Sequence, residues 1–549
     1  MMKRSISMYQ NRKDRQTSSL GKARILLAAL ALTGAFVVPS VAQAAVQTEP
    51  MMVMEKDKVI NDDFNLINHK YPSAIYVHTS STGTVQVNSQ KVHVKNSGET
   101  LTDIGVIDTG YGWTGTLNLK DGMQVSGEFT GADVNAKGLQ LNGFEFFTKD
   151  DDTGAPYAGT AHLGNNLSLE LTADNATDYA SLGGIEVDGE NLQAGDGLSA
   201  SVSAHTGGWT EVQGLYILHY GTARLGDHVT IHTSNRIDQD STHNLTDGII
   251  TVHNFNNEKV DEPAKGRQFL AIGKEAVILT EVHNDQNHTI LNNEGTAEGE
   301  VDGVRLSHTD FSLGDRAQIT TKTTGAIPNE FGIYTDYHTQ AVIGNDMTNT
   351  VTAEGRVPFV IGIQVKNDKY EREVDETVRN TLTIGERGKT IVSSTGDGNI
   401  YTRGIDIIGG QVILKDDNTL QVFGKNTHAH GNTAYTEGVR LTEQGSLKAG
   451  NNLQLTAQAI NGTQLYGLEQ NNSIITIGNH FTNTLQAFDT NEPDGVLSLN
   501  SQLTIGDDSL NNVQAKGDVP YFWITGYDIE GKTADGTPNL KFETIFITK

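Results

Sequence analysis

Two glycine patterns alternate along most of the chain, and their strict interleaving restricts it to a stack of like units. The first is Gly followed by Ile, Val or Leu, at Gly184, Gly214, Gly248, Gly303, Gly332, Gly362, Gly404, Gly438, Gly467 and Gly495. The second is an apolar residue, then Gly, then usually a polar residue. It occurs at Gly164, Gly195, Gly226, Gly273, Gly314, Gly344, Gly385, Gly450, Gly478 and Gly506, with Asp417 taking the place between Gly385 and Gly450. From each first mark to the next second mark the interval is 11 to 13 residues, except for two of 25 and 23, which read as insertions. Self-similarity on this scale means stacked supersecondary units, none of which buries its apolar face alone.

The local period shows what the unit is. Leu167, Leu169 and Leu171 alternate with Ser168 and Glu170, and Leu198, Ala200 and Val202 alternate in the same way. An apolar residue at every second position marks a strand with one side buried, whereas helical spacing is sustained nowhere after the N-terminal segment. A unit of about 28–34 residues holding three short strands fits a parallel β-helix, where each strand pairs with its counterpart one coil away at about 4.8 Å. The expectation is an all-β solenoid of about 12 or more coils spanning residues 74–510. A polar residue recurs beside the second glycine, at Asn165, Asp227, Asp315, Asn345, Asn451, Asn479 and Asp507. Asn and Asp are expected here to bond their own turn backbone, with the neighbouring glycine taking positive φ.

The 549 residues carry a formal charge of −27, with 59 Gly, 10 Pro and no Cys. Such acidity provides no basic groove for phosphates, so nucleic acid is not an expected partner. Met1 to Ala44 reads as a signal peptide, with a basic head from Lys3 to Arg24, an apolar stretch from Ile25 to Val38, and the small-residue signature Ala42, Gln43, Ala44. The chain is therefore expected outside the cytoplasm. A solenoid with a continuous core needs no disulfides there, in keeping with the absent Cys. Residues 45–73 are weakly patterned and read as a flexible lead. Residues 511–549 concentrate aromatics, among them Tyr521, Phe522, Trp523 and Tyr527, and read as a cap on the open core or a docking tail.

Two polar insertions, Asn254 to Arg267 and Lys366 to Asn380, fall between the first and second marks and so should project from one side, a placement that suits binding. Gly506, Asp507 and Asp508 match the paired-carboxylate tripeptide of polygalacturonase-like hydrolases. They occupy an ordinary turn position, however, and the companion Gly-His-Gly and Arg-x-Lys motifs are absent. His428 with His430, Asp150 to Asp152, and Lys415 to Asn418 are candidate cation ligands, but neither a third imidazole-site ligand nor the glycine-rich calcium nonapeptide accompanies them. No metal, cofactor or catalytic residue is expected, and Asp507 and Asp508 stand as the catalytic alternative.

The long basic head, the absence of Cys and the paired glycine marks together resemble the passenger domains of bacterial autotransporters, the type V secreted adhesins of the AIDA or pertactin kind. The resemblance covers roughly residues 74–510. It implies a right-handed, pectin-lyase-like β-helix exported through the inner membrane and periplasm to the cell surface or medium. There it would act without catalysis in adhesion to host or bacterial glycans or proteins, or in self-association. Only 43 residues follow Gly506, too few for a barrel of strands of about 9–11 residues each, so membrane contact is expected only through a separate translocator. The alternative is a carbohydrate-active hydrolase or lyase. A groove with carboxylates about 5–10 Å apart would favour it, and a flush lateral face would favour adhesion.

Overall fold

The computed structural model describes residues 45–547 except 69–72, 99, 143–158, 177–178, 253–266, 291–298, 368–378, 428–433, 517–524 and 531–545. The described residues contain no helix and are dominated by strands, each paired in parallel with its counterparts in neighbouring coils. One coil contains Asn329–Asp336, Gln340–Ile343 and Thr348–Glu354, and the next contains Phe359–Lys366, Thr381–Ile384 and Lys389–Gly396. Ile333 stacks on Ile363, Ile343 on Ile384 and Val351 on Val392. The first strand of such a coil belongs to what we call the bent sheet, the second to the short sheet and the last to the third sheet. This is the stacked-strand arrangement of a parallel β-helix.

Alternation along each strand turns one side inward. In Gln411–Leu414 the buried residues are Val412 and Leu414, and in Thr419–Asn426 they include Leu420 and Val422. Stacking these residues coil upon coil gives one hydrophobic core running from Val53 to Val513, and its burial is the main driving force for folding.

The solenoid is longer than the repeat suggests. Residues 45–67 are not a flexible lead: Val46–Gln47, Met51–Val53 and Lys58–Ile60 pair with Asp63–Ile67, Ile75–Val77 and Thr84–Val87. Their short, glycine-poor alternation hides the repeat from the sequence. At the other end, Leu510–Lys516 and Thr525–Glu530 continue the third and bent sheets beyond residue 510. The aromatic stretch Tyr521 to Trp523 lies outside the described residues, as does Met1 to Ala44.

The turn from the short sheet to the third sheet holds four residues in every coil from 120–123 to 506–509. Its second-mark glycine opens the turn without positive φ; the left-handed residue comes two positions later. That residue is Asn166, His228, Glu275, Arg316, Asp346, Arg387, Asp417, Asn452, His480 or Asp508, at φ of 55 to 63°, and in the two remaining turns Gly122 and Gly197, at 67 and 72°. The glycine is needed for close stacking, since a Cβ on Gly478 would lie 2.7 Å from Asn451 Oδ1. The polar residue between them bonds the next coil rather than its own turn. Asn165 Oδ1 accepts from the Asp196 N–H at 2.9 Å, Asn451 Oδ1 from Asn479 at 3.0 Å, and Asn479 Oδ1 from Asp507 at 2.9 Å. Parallel stacking brings that amide within reach of a two-carbon side chain. The register also moves Asp417. Ile384 pairs with Leu414 and Leu414 with Ala449, so Lys415 holds the glycine row and Asp417 the left-handed position.

Candidate functional site

The first-mark glycines form a column through the bent sheet, because successive strands pair in register around them. A Cβ on Gly362 would lie 2.6 Å from the Gly404 carbonyl oxygen and 2.7 Å from Val392 Cγ2, so only glycine fits. The strands bend at this column, and the ordinary inside–outside alternation breaks. In Asn329–Asp336 every residue after Asn329 is buried. Residues just before and two after these glycines pack against one another apart from the main core, as Asp302 with Arg305 and Arg403 with Asp406 do, in a row along the bent sheet that we call the trough.

The trough is filled by its own side chains. Phe331, Tyr334 and Ile361 form an apolar cluster separate from the main core, with the Phe331 and Tyr334 rings 5.3 Å apart. On one side of it lie Asp247, Asp302 and Arg305, all buried. Arg305 Nη1 bonds Glu300 and sits 3.6 Å from Asp302 Oδ2, while its guanidinium lies over the Tyr334 ring at 5.2 Å. On the other side, Arg403 donates to Glu437 and, at 3.2 Å, to Asp406. Asp406 also accepts from Gln364 at 3.0 Å and from Arg440 at 3.2 Å, and Arg440 lies 3.8 Å from Glu469. Next to this network Phe359, Tyr401 and Tyr435 stack at centroid distances of 5.2 and 5.0 Å, with Arg403 over Tyr401 at 4.1 Å. A second stack, Tyr179, Trp209 and His243, runs along the edge of the bent sheet at 4.8 and 4.7 Å.

Burial sets the electrostatics. It pushes Asp247 up to about 7, against the opposing pull of Arg305, and raises Asp302 as well, helped by Glu300 and Asp247. Burial raises Glu437 against the pull of Arg403, and burial together with Glu437 brings Glu469 up to about 7. The trough therefore holds carboxyl groups that are either ion-paired or inclined to keep a proton.

Among coils whose three strands are all described, long insertions leave from the corners that flank the bent sheet. Segments 143–158, 253–266 and 368–378 connect bent strands to short strands, while 291–298 and 428–433 connect third-sheet strands to bent strands. The two insertions expected from the sequence thus leave from one corner, at Val252 and Lys366, although most of their residues lie outside the described ones. The segment 143–158 is a third such insertion, marked in the sequence by the 26-residue interval from Gly138 to Gly164.

Asp507 and Asp508 fall on the exposed four-residue turn far from the trough, where the Asp507 N–H donates to Asn479 and Asp508 lies 3.9 Å from His480 Nδ1. Lys415 to Asn418 form the equivalent turn, stapled by Asn418 Nδ2 donating to the Gly385 and Lys415 carbonyls at 2.9 Å. His428, His430 and Asp150 to Asp152 lie outside the described residues. Among the described residues no group of three or more His, Asp or Glu is placed to hold a metal ion. The trough residues were missed in the sequence, yet a signal exists: a charged residue, Gly, Val or Ile, then another charged residue, as in Asp302 to Arg305, Arg403 to Asp406 and Glu437 to Arg440.

Fold and face together define an all-β parallel solenoid with one loop-flanked lateral surface. Comparison with protein-family models, curated proteins and solved structures returns no match.

Proposed function

We propose that this chain is an exported, right-handed parallel β-helix of about 12 or more coils, released from a signal peptide ending at Ala44. On this reading it acts at the cell surface or in the medium as a non-catalytic adhesin or self-associating protein of the autotransporter-passenger kind. The observation that carries this reading is the distribution of insertions: two corners flanking the bent sheet vary in length, while the third keeps four residues in each coil from 120–123 onward. Variable loops on a rigid scaffold are where binding groups concentrate. The trough between those loops is filled by its own side chains, which suits contact with a surface better than enclosure of a substrate.

The test is adhesion and autoaggregation of cells expressing the full chain, with fractionation into periplasm, surface and medium. Deletion of residues 368–378 or 253–266 should reduce adhesion at least tenfold, while Val342→Lys on the short sheet should not. Retention in the periplasm, or adhesion unaffected by both deletions, would sink the reading.

A carbohydrate-active enzyme is the second reading. Glu469 favours it, being partly exposed, held near 7, and adjacent to Glu437 and Arg440. Polysaccharide cleavage that disappears in Glu469→Gln would establish it.

A further inference from the structure

The first coil exposes an unusual combination of groups. Of the nine exposed large hydrophobic side chains among the described residues, five lie between Val46 and Ile67. Three of them sit on the three strands of the terminal coil: Val46, Met52 and Val59, exposed by 61, 59 and 59%. The backbone makes these three positions equivalent. In a parallel ladder, alternate residues direct both N–H and C=O to opposite neighbours. The Met51 N–H donates to Ala74 and the Val53 carbonyl accepts from His78, so Met51 and Val53 bond the second coil and Met52 points its N–H and C=O away from it. By the same rule the Ala45 carbonyl accepts from Asp63 and the Ile60 carbonyl from Asn88, which turns Val46 and Val59 outward. Each strand of the end coil thus presents one apolar residue whose side chain and backbone groups are both free for a partner, and among the described residues no strand pairs with that edge.

On the signal-peptide reading, on which this inference rests, cleavage after Ala44 leaves one residue before Val46. The C-terminal Phe546–Ile547 is engaged at the opposite end, pairing with Asn512 and Val513.

We propose that the N-terminal end of the solenoid is a homodimer interface, in which two copies meet head to head and their first-coil strands pair antiparallel across a two-fold axis. The axis passes at Met52, so that Met52 exchanges both backbone bonds with its own counterpart, and Val46 faces Val59 of the other copy. Such a pair buries the apolar rim, satisfies the edge and closes the assembly at two copies, removing the open edge that would otherwise template aggregation.

The absence of Cys makes the test clean. The exported product of the full chain is purified, its N-terminus determined, and its mass measured by sedimentation across micromolar concentrations. The expected result is a product beginning at Ala45 that sediments as a dimer. Met52→Cys should give a disulfide-linked dimer on mild oxidation, since opposed residues in such a pair have Cα atoms about 5.5 Å apart, within disulfide range. Mixing Val46→Cys with Val59→Cys should cross-link likewise, and Val342→Cys should not. Met52→Lys with Val59→Lys should yield a monomer with an unchanged β-sheet circular dichroism spectrum. A wild-type monomer at all concentrations, whatever its N-terminus, overturns the proposal, as does equal cross-linking through Val342→Cys. Dimerisation that persists in variants whose flanking-loop deletions abolish adhesion separates this interface from the lateral binding surface.

Discussion

Asp247 and Asp302 stack directly on one another in successive coils of the bent sheet, 55 residues apart in the chain, and both carboxyl groups are fully buried. The nearby charges are Arg305, Glu300 and Glu211, so one guanidinium serves several acids. Two such groups cannot both ionise without cost, and the folded chain favours the protonated form.

This predicts a stability that falls as pH rises. Burial also lifts Glu190 to about 8, with Asp188 adding to the effect, and raises Glu330, which sits inside the core accepting from Thr323 at 2.7 Å. Unfolded, these acids titrate near pH 4. Groups held above that value contribute stability that is complete below about pH 4 and is lost as the pH climbs through roughly 7 to 8. The opposite contribution comes from Glu55, Glu128, Glu275 and Asp346, lowered by Lys58, Lys95, Arg316 and Arg387; these pairs are exposed and weak. Calorimetry from pH 4.5 to 9 should therefore show Tm highest in weak acid and declining toward alkali, with a flatter profile for Asp247→Asn. A Tm that rises across this window would refute the assignment.

Arg403 should be the most costly trough residue to remove. Its side chain is 6% exposed and joins Glu437 and Asp406, themselves 2 and 1% exposed. Arg403→Met leaves the buried Glu437 without its hydrogen-bonded cation and Asp406 with Arg440 alone, and urea unfolding at pH 8 should show a loss of about 3–5 kcal/mol. The double change with Glu437→Leu should recover part of it. A loss below about 1 kcal/mol would mean that the pair is dispensable.

The turn ladder predicts changes of both signs. Asn479→Ala deletes the acceptor for the Asp507 N–H and should cost about 1 kcal/mol. At Glu386 the ladder residue is one methylene longer than Asp, and its carboxylate bonds Arg387 at 3.0 Å instead of continuing the series. Glu386→Asn should restore the step and raise stability by about 0.5–1 kcal/mol. Denaturant midpoints of the two variants, moving in opposite directions, are the readout.

Alanine at the glycine column should be far worse than alanine on an exposed strand. In Gly362→Ala the new methyl meets the Gly404 carbonyl, which cannot move without breaking the coil above. A destabilisation of at least about 1–3 kcal/mol is expected from overpacking alone. Limited proteolysis should then locate the opening near the bent sheet; an unchanged midpoint would show that the column is not sterically closed.

The strands and turns were legible from local pattern, because alternation and turn residues are encoded within a few positions of one another. Leu167 to Leu171 and Gly450 to Asn452 carry their roles on their face. The trough was not legible, because Arg403 meets Glu437 and Asp247 meets Asp302 only after a full coil has been traversed, and insertions make the coil length irregular. The first coil was missed for a related reason: its strands are two or three residues long, and their pairing partners identify them better than their composition does.

By itself the sequence determined the kind of unit, a short one-sided strand with glycine and Asn or Asp at its turns, and it determined that such units must stack, since none has enough apolar area to stand alone. Only the tertiary structure decided which residues lie above which. That register placed Lys415 rather than Asp417 in the glycine row, brought acids and arginines from separate coils into one trough, and left Val46, Met52 and Val59 at an open edge. The physical reason is that vertical alignment in a parallel solenoid is set by backbone hydrogen bonds between coils, which no interval counted along the chain can specify once loops of different length intervene.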